Sequence, residues 1–204
     1  MIGPPLPHPS LAPEALVAAD THGWFPMDEP GATGPVGLFE ADPRSVIPVP
    51  AFRTPRSVAR YLRTAGFETR VDTAFAEVAA ACGGDRDGEW LTPRLADAYL
   101  ALHLAGVAHS VEIWRDERLC GGLFGVALGG LFSSETMFHR EPDAGNAALV
   151  AAAGLLQEAG FVLWDIQVAS AHTMRFGAVS LSPAEYRRRL KEALKARPLG
   201  FGAS

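Results

Sequence analysis

Cysteine is scarce in this chain of 204 residues, which contains only Cys82 and Cys120. Two cysteines cannot form a disulfide framework, so the sequence is not that of a small disulfide-stapled secreted protein. No apolar run reaches the ~18 residues of a membrane-spanning helix. The first ten residues also lack the basic start and apolar stretch of a secretory signal. These absences predict a soluble, cytoplasmic protein with no membrane contact.

An excess of basic residues is also absent, since 18 Lys and Arg face 23 Asp and Glu, for a net charge of −5. This balance excludes a globally basic nucleic-acid binder, so any such binding must use a local basic patch. The histidines show no metal-ligand spacing and the two cysteines lie far apart. We therefore expect no metal site.

Apolar residues, in contrast, make up 48% of the chain, enough for a complete core. A chain of this length buries roughly 70% of its unfolded surface without staples. Its first fifty residues are rich in Pro and Gly and show weak periodicity, apart from a short helix predicted over 11–20. We therefore predict a small irregular N-terminal lobe over 1–53 and a second domain over 54–204.

The second domain shows clear secondary-structure signals, with N-caps predicted at Thr54, Asp72 and Thr92. Helices are predicted over 54–64, 72–82, 92–106, 146–159 and 182–196, and strands over 67–71, 109–114, 119–127, 131–134 and 161–168. This order fits a mixed α/β (α+β) sheet with helices on both faces. It resembles the fold of GNAT-type acyltransferases, although fold alone does not give a function.

The most informative segment is 164–168, where two polar residues interrupt an apolar strand. Side chains alternate along a strand, so Asp165 and Gln167 are predicted to share one face. An unpaired buried polar group costs about 1–3 kcal/mol, so both side chains need partners. Either they hydrogen-bond nearby loops and helix ends, or they form a polar pair at the strand end, where open sheets commonly bind ligands.

Glu135 and His172 are weaker candidates. Glu135 lies between apolar residues at the end of a predicted strand. It is either an exposed loop residue or part of a site. His172 lies near a turn, where a lone histidine is more often structural than catalytic.

A basic stripe is formed by Arg56, Arg60 and Arg63, whose spacing places them on one face of the helix predicted over 54–64. Such a stripe is either a solvated helix face or a contact surface for the phosphates of a polyanion. The second interpretation is notable because the chain as a whole is acidic.

A phosphate-binding loop for coenzyme A is missing. GNAT enzymes that use acetyl-CoA bind its pyrophosphate through a glycine-rich loop at the start of the helix after the meander. Here residues 139–146 read HREPDAGN, which lacks the glycine spacing and adds two carboxylates. Because carboxylates repel pyrophosphate, this segment argues against coenzyme A as donor. We also expect no cofactor.

A set of short segments together resembles the leucyl/phenylalanyl-tRNA–protein transferase family. Each segment alone is weakly specific, but they occur in order over nearly the whole chain, which makes the set very specific. The segments are 23–26 (GWFP), 42–44 (DPR), 88–92 (GEWLT), 108–112 (AHSVE), 121–126 (GGLFGV), 132–138 (FSSETMF), 165–168 (DIQV), 172–173 (HT) and 177–178 (GA).

The resemblance implies a cytoplasmic enzyme that moves Leu, Phe or Met from aminoacyl-tRNA to the N-terminal Arg or Lys of an acceptor protein. The new peptide bond creates an N-degron, which marks the acceptor for N-end-rule proteolysis. The resemblance also implies a small N-terminal domain followed by a GNAT-like domain. Residue by residue, it assigns the active-site roles to Asp165, Gln167 and Glu135.

The family's apolar pocket for the donor side chain also maps onto this chain. By position, the substrate-binding residues are Trp90, Leu123, Phe132, Ser134, Leu149 and Leu156. Sequence does not separate a pocket wall from ordinary core packing, so both interpretations stay open for the apolar members. The arginines of the basic stripe match a basic helix of the family, which implies contact with the 3′ end of the tRNA.

The chain departs from the family pattern at several positions. An aromatic pair is replaced by Leu38-Phe39, a Ser-Lys pair by Gly145-Asn146, and a pocket aromatic by Ala152. These changes leave the preferred amino acid and the tRNA affinity open. Two other functions also remain open: a GNAT acyltransferase with another activated donor, and a non-catalytic module that binds aminoacyl-tRNA or protein N-termini.

Overall fold

A small three-stranded sheet forms the start of the chain in the computed structural model, which describes residues 1–8, 10–84 and 90–201. Its antiparallel strands lie in the order β1-β3-β2. The elements are β1 (Leu6–His8), α1 (Pro13–Thr21), β2 (Phe25–Met27) and β3 (Val36–Phe39). These short elements form the small irregular N-terminal lobe expected from the sequence.

A larger sheet of seven strands follows, in the order β10-β4-β9-β8-β7-β6-β5. Its strands are β4 (Arg44–Ile47), β5 (Glu68–Val71), β6 (Ala108–Arg115), β7 (Arg118–Leu128), β8 (Leu131–His139), β9 (Leu163–Asp165) and β10 (Val179–Leu181). All neighbours are antiparallel except β8 and β9, which run parallel. The predicted mixed sheet, with a meander of three strands, is therefore confirmed.

Helices cover both faces of this sheet, as predicted. They are α2 (Arg56–Leu62), α3 (Phe75–Gly83), α4 (Pro93–Leu104), α5 (Ala144–Ala159), α6 (Ala171–Met174) and α7 (Pro183–Ala193), with a 3₁₀ turn at Val49–Ala51. The apolar α5 shares one core cluster with Leu123 and Phe132, whereas α3 and α4 share a second cluster with Phe124 on the opposite face. Full burial of one such side chain contributes about 1.5–3 kcal/mol.

A bulge in the β7–β8 hairpin determines where Glu135 lies. The register pairs Phe124 with Thr136 but Gly125 with Ser134, so Glu135 is the extra residue on β8. A Cβ on Gly125 would lie 2.4 Å from the Ser133 carbonyl oxygen, so the bulge requires glycine at this position.

Two predicted strand boundaries are wrong. The strand predicted over 161–168 is the three-residue β9, because Gln167 has a φ of +52° and turns the chain away from the sheet. The strand predicted over 131–134 continues to His139. Glu135 is therefore part of a strand instead of following one.

The predicted helix caps have mixed outcomes. Thr92 is an N-cap, since its hydroxyl accepts from the backbone N–H of Leu95 at 3.4 Å. Asp72 is not a cap: its carboxylate instead binds the β6 backbone at Ser110, 2.8 Å away, and α3 begins without a side-chain cap. Thr54 is not a cap either, because Pro55 occupies that position.

Within the ranges given above, no helix is long and apolar enough to cross a membrane.

Candidate active site

A cleft opens where the parallel strands β8 and β9 separate. They pair only as far as Ser133 and Asp165. Beyond that point β8 continues, while the chain after β9 turns away at Gln167. The strands diverge above this last pair and leave a space that the N-terminal end of α5 and the short helix α6 border.

The space is a cavity of about 530 Å³ with mixed walls, which we call the large cavity. It is lined by Leu123, Ser134, Glu135, Thr136, Met137, His139, Asp143, Gly145, Asn146, Leu149, Ile166, Gln167, Ser170, His172 and Thr173. Its apolar members come from β7, β8, α5 and the segment that follows β9, and its polar members include Glu135, Gln167 and His172. A cavity of this size and mixed character suits a small organic group held by a few polar contacts.

A small cavity of about 140 Å³ adjoins the large one. Both are lined by Glu135, Ile166 and Gln167, so these side chains form the wall between them. The remaining walls of the small cavity come from the segment 25–27, from Trp90 and from Val168. Two adjoining spaces that share polar side chains can hold two reactants next to each other.

Asp165 lies beneath this wall and is fully buried. Its Oδ1 accepts from Arg44 Nε at 2.9 Å and its Oδ2 from Arg44 Nη2 at 2.6 Å. Tyr186 donates its hydroxyl to the same Oδ2 at 2.5 Å. The Arg44 guanidinium also stacks between the rings of Phe25 and Tyr186. Asp165 is therefore part of a buried ion pair and is not among the residues that line either cavity.

Charge compensation keeps the buried Arg44 guanidinium protonated. Burial by itself lowers the pKa of Arg44, but the Asp165 carboxylate outweighs burial and raises that pKa above the usual value. Burial also raises the pKa of Tyr186, and Asp165 raises it further, so the phenol remains a hydrogen-bond donor.

Gln167 is held at the cleft by its backbone and by its side chain. Its backbone N–H donates to Asp165 Oδ1 at 2.9 Å, which secures the turn with positive φ. Its side-chain Nε2 donates to the Ser133 hydroxyl at 3.1 Å. The predicted Asp165–Gln167 pair therefore exists, but Asp165 fixes the turn and Gln167 alone reaches the cavities.

Glu135 is partly buried and has one carboxylate oxygen occupied. Tyr99 donates its hydroxyl to Oε2 at 2.8 Å. Among the described residues, nothing donates a hydrogen bond to the buried Oε1. Burial raises the pKa of Glu135 to about 7, against the opposing effect of the Tyr99 hydrogen bond. Such a carboxyl can accept or release a proton near neutral pH.

His172 lies on the rim of the large cavity, where α6 meets the start of α5. Its Nε2 hydrogen-bonds Asn146 Oδ1 at 2.6 Å. Burial lowers the pKa of His172, and Arg175 lowers it further, so the neutral ring donates this bond. Ser170 caps the short α6 by accepting from the Thr173 N–H, which fixes the rim.

The residues predicted to bind substrate separate into two groups. Leu123, Ser134 and Leu149 line the large cavity, and Trp90 lines the small one. Phe132 and Leu156 have no exposed surface and lie in the same core cluster as Leu149. Among the cavities described here, neither of these two forms a wall.

The arginine stripe lies apart from the cleft, on the surface of α2. All three arginines are exposed, and they line a shallow groove with Ser57 and Ala59. Arg63 bends back toward the Ala59 carbonyl of the helix. The stripe predicted from spacing therefore exists as one continuous basic surface.

Several contact residues of the site were not identified from the sequence. Arg44 lies in one of the segments that carry the resemblance, but no pattern predicts that it pairs with a carboxylate 121 positions away. Tyr99, Ser133 and Tyr186 look like ordinary core or strand residues in the sequence. Each of them carries one hydroxyl group. A hydroxyl in a segment that is otherwise predicted to be buried needs a hydrogen-bond partner, and this is the signal that could have identified them.

Comparison with known proteins places this chain among the transferases. A family model described as "Leucyl/phenylalanyl-tRNA protein transferase" matches residues 46–191. The protein from Rubrobacter xylanophilus with the corresponding name is 48% identical over 186 residues, which cover 91% of this chain and 96% of that protein. The one from Akkermansia muciniphila is 43% identical, covering 91% and 97%. The chain therefore belongs to the leucyl/phenylalanyl-tRNA–protein transferase family.

Solved structures similar to this chain are distant in sequence. One is a GCN5-related N-acetyltransferase from Kribbella flavida, at 15% identity and a TM-score of 0.45, covering 69% of this chain and 55% of that one. Another is L-PGS from Bacillus licheniformis, at 12% identity and a TM-score of 0.45, covering 83% and 54%.

Proposed function

We propose that this protein transfers leucine or phenylalanine, and also methionine, from aminoacyl-tRNA to the N-terminal Arg or Lys of acceptor proteins in the cytoplasm. The modified acceptor then carries an N-degron for regulated proteolysis. The observation that supports this most directly is the shared wall of Gln167 and Glu135 between two adjoining cavities. Membership of the family supplies the substrate class.

The large cavity suits the donor side chain. Leu123, Leu149 and Met137 provide apolar surface from three different elements. A leucyl or phenylalanyl group that enters this space leaves water and is held by its shape. The ester carbonyl then lies toward Gln167, and the acceptor amine approaches from the side of the small cavity. The N-terminal lobe contributes one wall of the small cavity through residues 25–27. The strand β4 of the same part of the chain supplies Arg44, the partner of Asp165, to the large sheet.

The chemistry requires little catalytic assistance. The donor is an activated ester, and an α-amino group with a pKa of about 7.7–8 is partly neutral near pH 7. Holding the amine about 3–3.5 Å from the ester carbonyl supplies much of the barrier reduction. In this proposal Gln167 orients the amine or polarises the carbonyl, Asp165 fixes the Gln167 turn, and Glu135 binds the acceptor N-terminus.

One assay tests the proposal against its alternatives. Labelled leucine on tRNA is mixed with a peptide that begins with Arg, and the label on the peptide is measured. Transfer is expected, and it should be lost when the peptide N-terminus is acetylated. Binding of both substrates without transfer would instead indicate a binding module. Calorimetric binding of acetyl-CoA would indicate an acyltransferase with a different donor.

The arginine stripe on α2 is expected to contact tRNA phosphates. Replacing Arg60 with alanine should weaken tRNA binding and reduce by about one unit the slope of log K against log salt, because one phosphate contact is lost. The control is Arg188→Ala on α7, which removes an equal charge whose side chain already pairs with Glu185 and Glu192. An unchanged slope in the Arg60 variant would refute phosphate contact there.

A further inference from the structure

An ion pair joins the N-terminal lobe to the start of α4, next to the small cavity. Asp28 follows directly after β2, and only 1% of its side chain is exposed. Arg94 lies in the first turn of α4 and donates from Nε to Asp28 Oδ2 at 2.6 Å and from Nη2 to Oδ1. Each carboxylate oxygen thus accepts from the guanidinium, which is the bidentate geometry that fixes two side chains most firmly.

Thr92 adds a third donor to the same carboxylate. Its hydroxyl donates to Asp28 Oδ2 and also caps α4 by accepting from the Leu95 N–H. The hydrogen bonds from Arg94 hold the pKa of Asp28 below its usual value, although burial opposes them, and Thr92 lowers that pKa further. Asp28 is therefore ionised at neutral pH. We call the side chains of Asp28, Thr92 and Arg94 the clasp.

The backbone beside the clasp joins two walls of the small cavity directly. The Asp28 N–H donates to the Trp90 carbonyl at 3.0 Å. Residues 25–27, which precede Asp28, and Trp90, which accepts this bond, both line the small cavity. Arg94 Nη1 also donates to the Gly34 carbonyl at 2.9 Å, so the same side chain holds the loop between β2 and β3.

Asp28 and Arg94 themselves do not line either the small or the large cavity. They can therefore affect a bound peptide only through the walls that they hold. A group bound between these walls meets two surfaces whose separation depends on the clasp. Because reacting atoms must approach to about 3–3.5 Å, a small change in this separation alters how the group is presented for reaction.

Attachment of the lobe does not depend on the clasp alone. Leu16 of α1 shares an apolar core cluster with Leu95 and Tyr99 of α4. A second ion pair, 3.1 Å long, joins Glu40 of the lobe to Arg187 of α7. This pair is more exposed than the clasp, and neither of its residues lines the small or the large cavity. The clasp thus differs from the other lobe contacts by its place at the cavity.

We propose that the clasp fixes the width of the small cavity and thereby positions the N-terminal residue of the acceptor beside Glu135 and Gln167. Asp28 and Arg94 are positioning residues, which act through the cavity walls. This inference rests on the proposed function and deepens it, since it assigns part of the acceptor site to the lobe. The residues that line the large cavity all come from the second domain, so a change in the clasp should leave donor binding intact.

The test measures transfer of labelled leucine to a peptide that begins with Arg, with the concentrations of peptide and Leu-tRNA varied separately. Arg94→Met should raise KM for the peptide roughly tenfold and leave KM for Leu-tRNA and kcat within about twofold of native. The value of kcat should persist because Glu135 and Gln167 are held by hydrogen bonds that the clasp does not share. Arg94→Lys keeps the charge without the bidentate geometry, so it should recover part of the loss.

Arg187→Met is the matched control, because it breaks the other ion pair between the lobe and the second domain. Both KM values should stay at their native levels in this variant. A peptide KM within about twofold of native in Arg94→Met would overturn the proposal, as would equal increases in the two KM values. A loss confined to kcat would also contradict it, because the clasp would then affect the reaction and not acceptor binding.

Asp28→Asn keeps the test decisive if Arg94→Met does not fold. It preserves the size of the side chain and an oxygen for the Thr92 hydroxyl. It also leaves no fully buried charge, because the Arg94 side chain is 32% exposed. This variant should show the same split between the two KM values, and native values would overturn the proposal.

A binding measurement separates this inference from the proposed function. The affinity for the same peptide is measured by calorimetry in the absence of tRNA. Arg94→Met should bind the peptide roughly tenfold more weakly than the native chain and Arg187→Met do. If the native chain binds the peptide but shows no transfer, the proposed function fails, while this difference in affinity still supports the clasp. A native chain that does not bind the peptide would contradict both.

Discussion

Replacing Asp165 with alanine is expected to lower the free energy of unfolding by about 3–5 kcal/mol, because it leaves a guanidinium buried without its counter-charge. Arg44 is 2% exposed and cannot turn toward water without leaving its stack between two aromatic rings. Urea unfolding monitored by circular dichroism measures the change. The same variant should lose transfer activity, because the Gln167 turn loses its hydrogen-bond acceptor.

Two further variants identify the origin of this loss. The double variant Arg44→Met, Asp165→Leu removes both charges and should recover much of the stability, since well-packed apolar groups often replace a buried ion pair at little cost. Arg70→Ala breaks ion pairs with Glu68 and Glu117 on the surface and should have a far smaller effect. Equal losses for the Asp165 and Arg70 variants would show that burial of the pair does not matter.

Replacing Gln167 with alanine is expected to reduce kcat/KM for transfer by about 10²–10³-fold, the usual cost of removing one donor aimed at a reacting group. The fold should persist, because the backbone N–H that binds Asp165 is retained. Single-turnover transfer from Leu-tRNA provides the measurement. A value of kcat/KM within about twofold of the native enzyme would remove Gln167 from the mechanism.

Gln167→Gly is the matched control for backbone conformation. It removes the same amide but suits the positive φ of this position better than alanine does. If the amide carries the activity, both variants should be equally impaired, although the glycine variant should have the higher Tm. A more active glycine variant would indicate that the turn, and not the amide, limits the reaction.

Local sequence signals predicted the meander and the helices well. The strands β6, β7 and β8 follow from their apolar patterns, and α4 begins at the cap predicted from Thr92. The strand β4 has no comparable signal in the sequence, because prolines precede and follow its four residues, and because all four are buried and so show no alternation.

The site was less accessible to prediction because its geometry depends on register and on distant contacts. The spacing of Asp165 and Gln167 suggested two equivalent side chains on one strand face. The positive φ of Gln167, which makes their roles different, has no signature in the sequence. The bulge that places Glu135 at the cleft likewise depends on how β7 pairs with β8.

The position of β4 has a consequence for biosynthesis. This strand lies between β9 and β10, which come from the last quarter of the polypeptide. Arg44 leaves the ribosome 121 residues before its partner Asp165. At roughly 5–20 residues per second this delay is about 6–24 s. During that interval the nascent chain carries a cationic strand with no neighbours, so the native sheet can close only after translation is nearly complete.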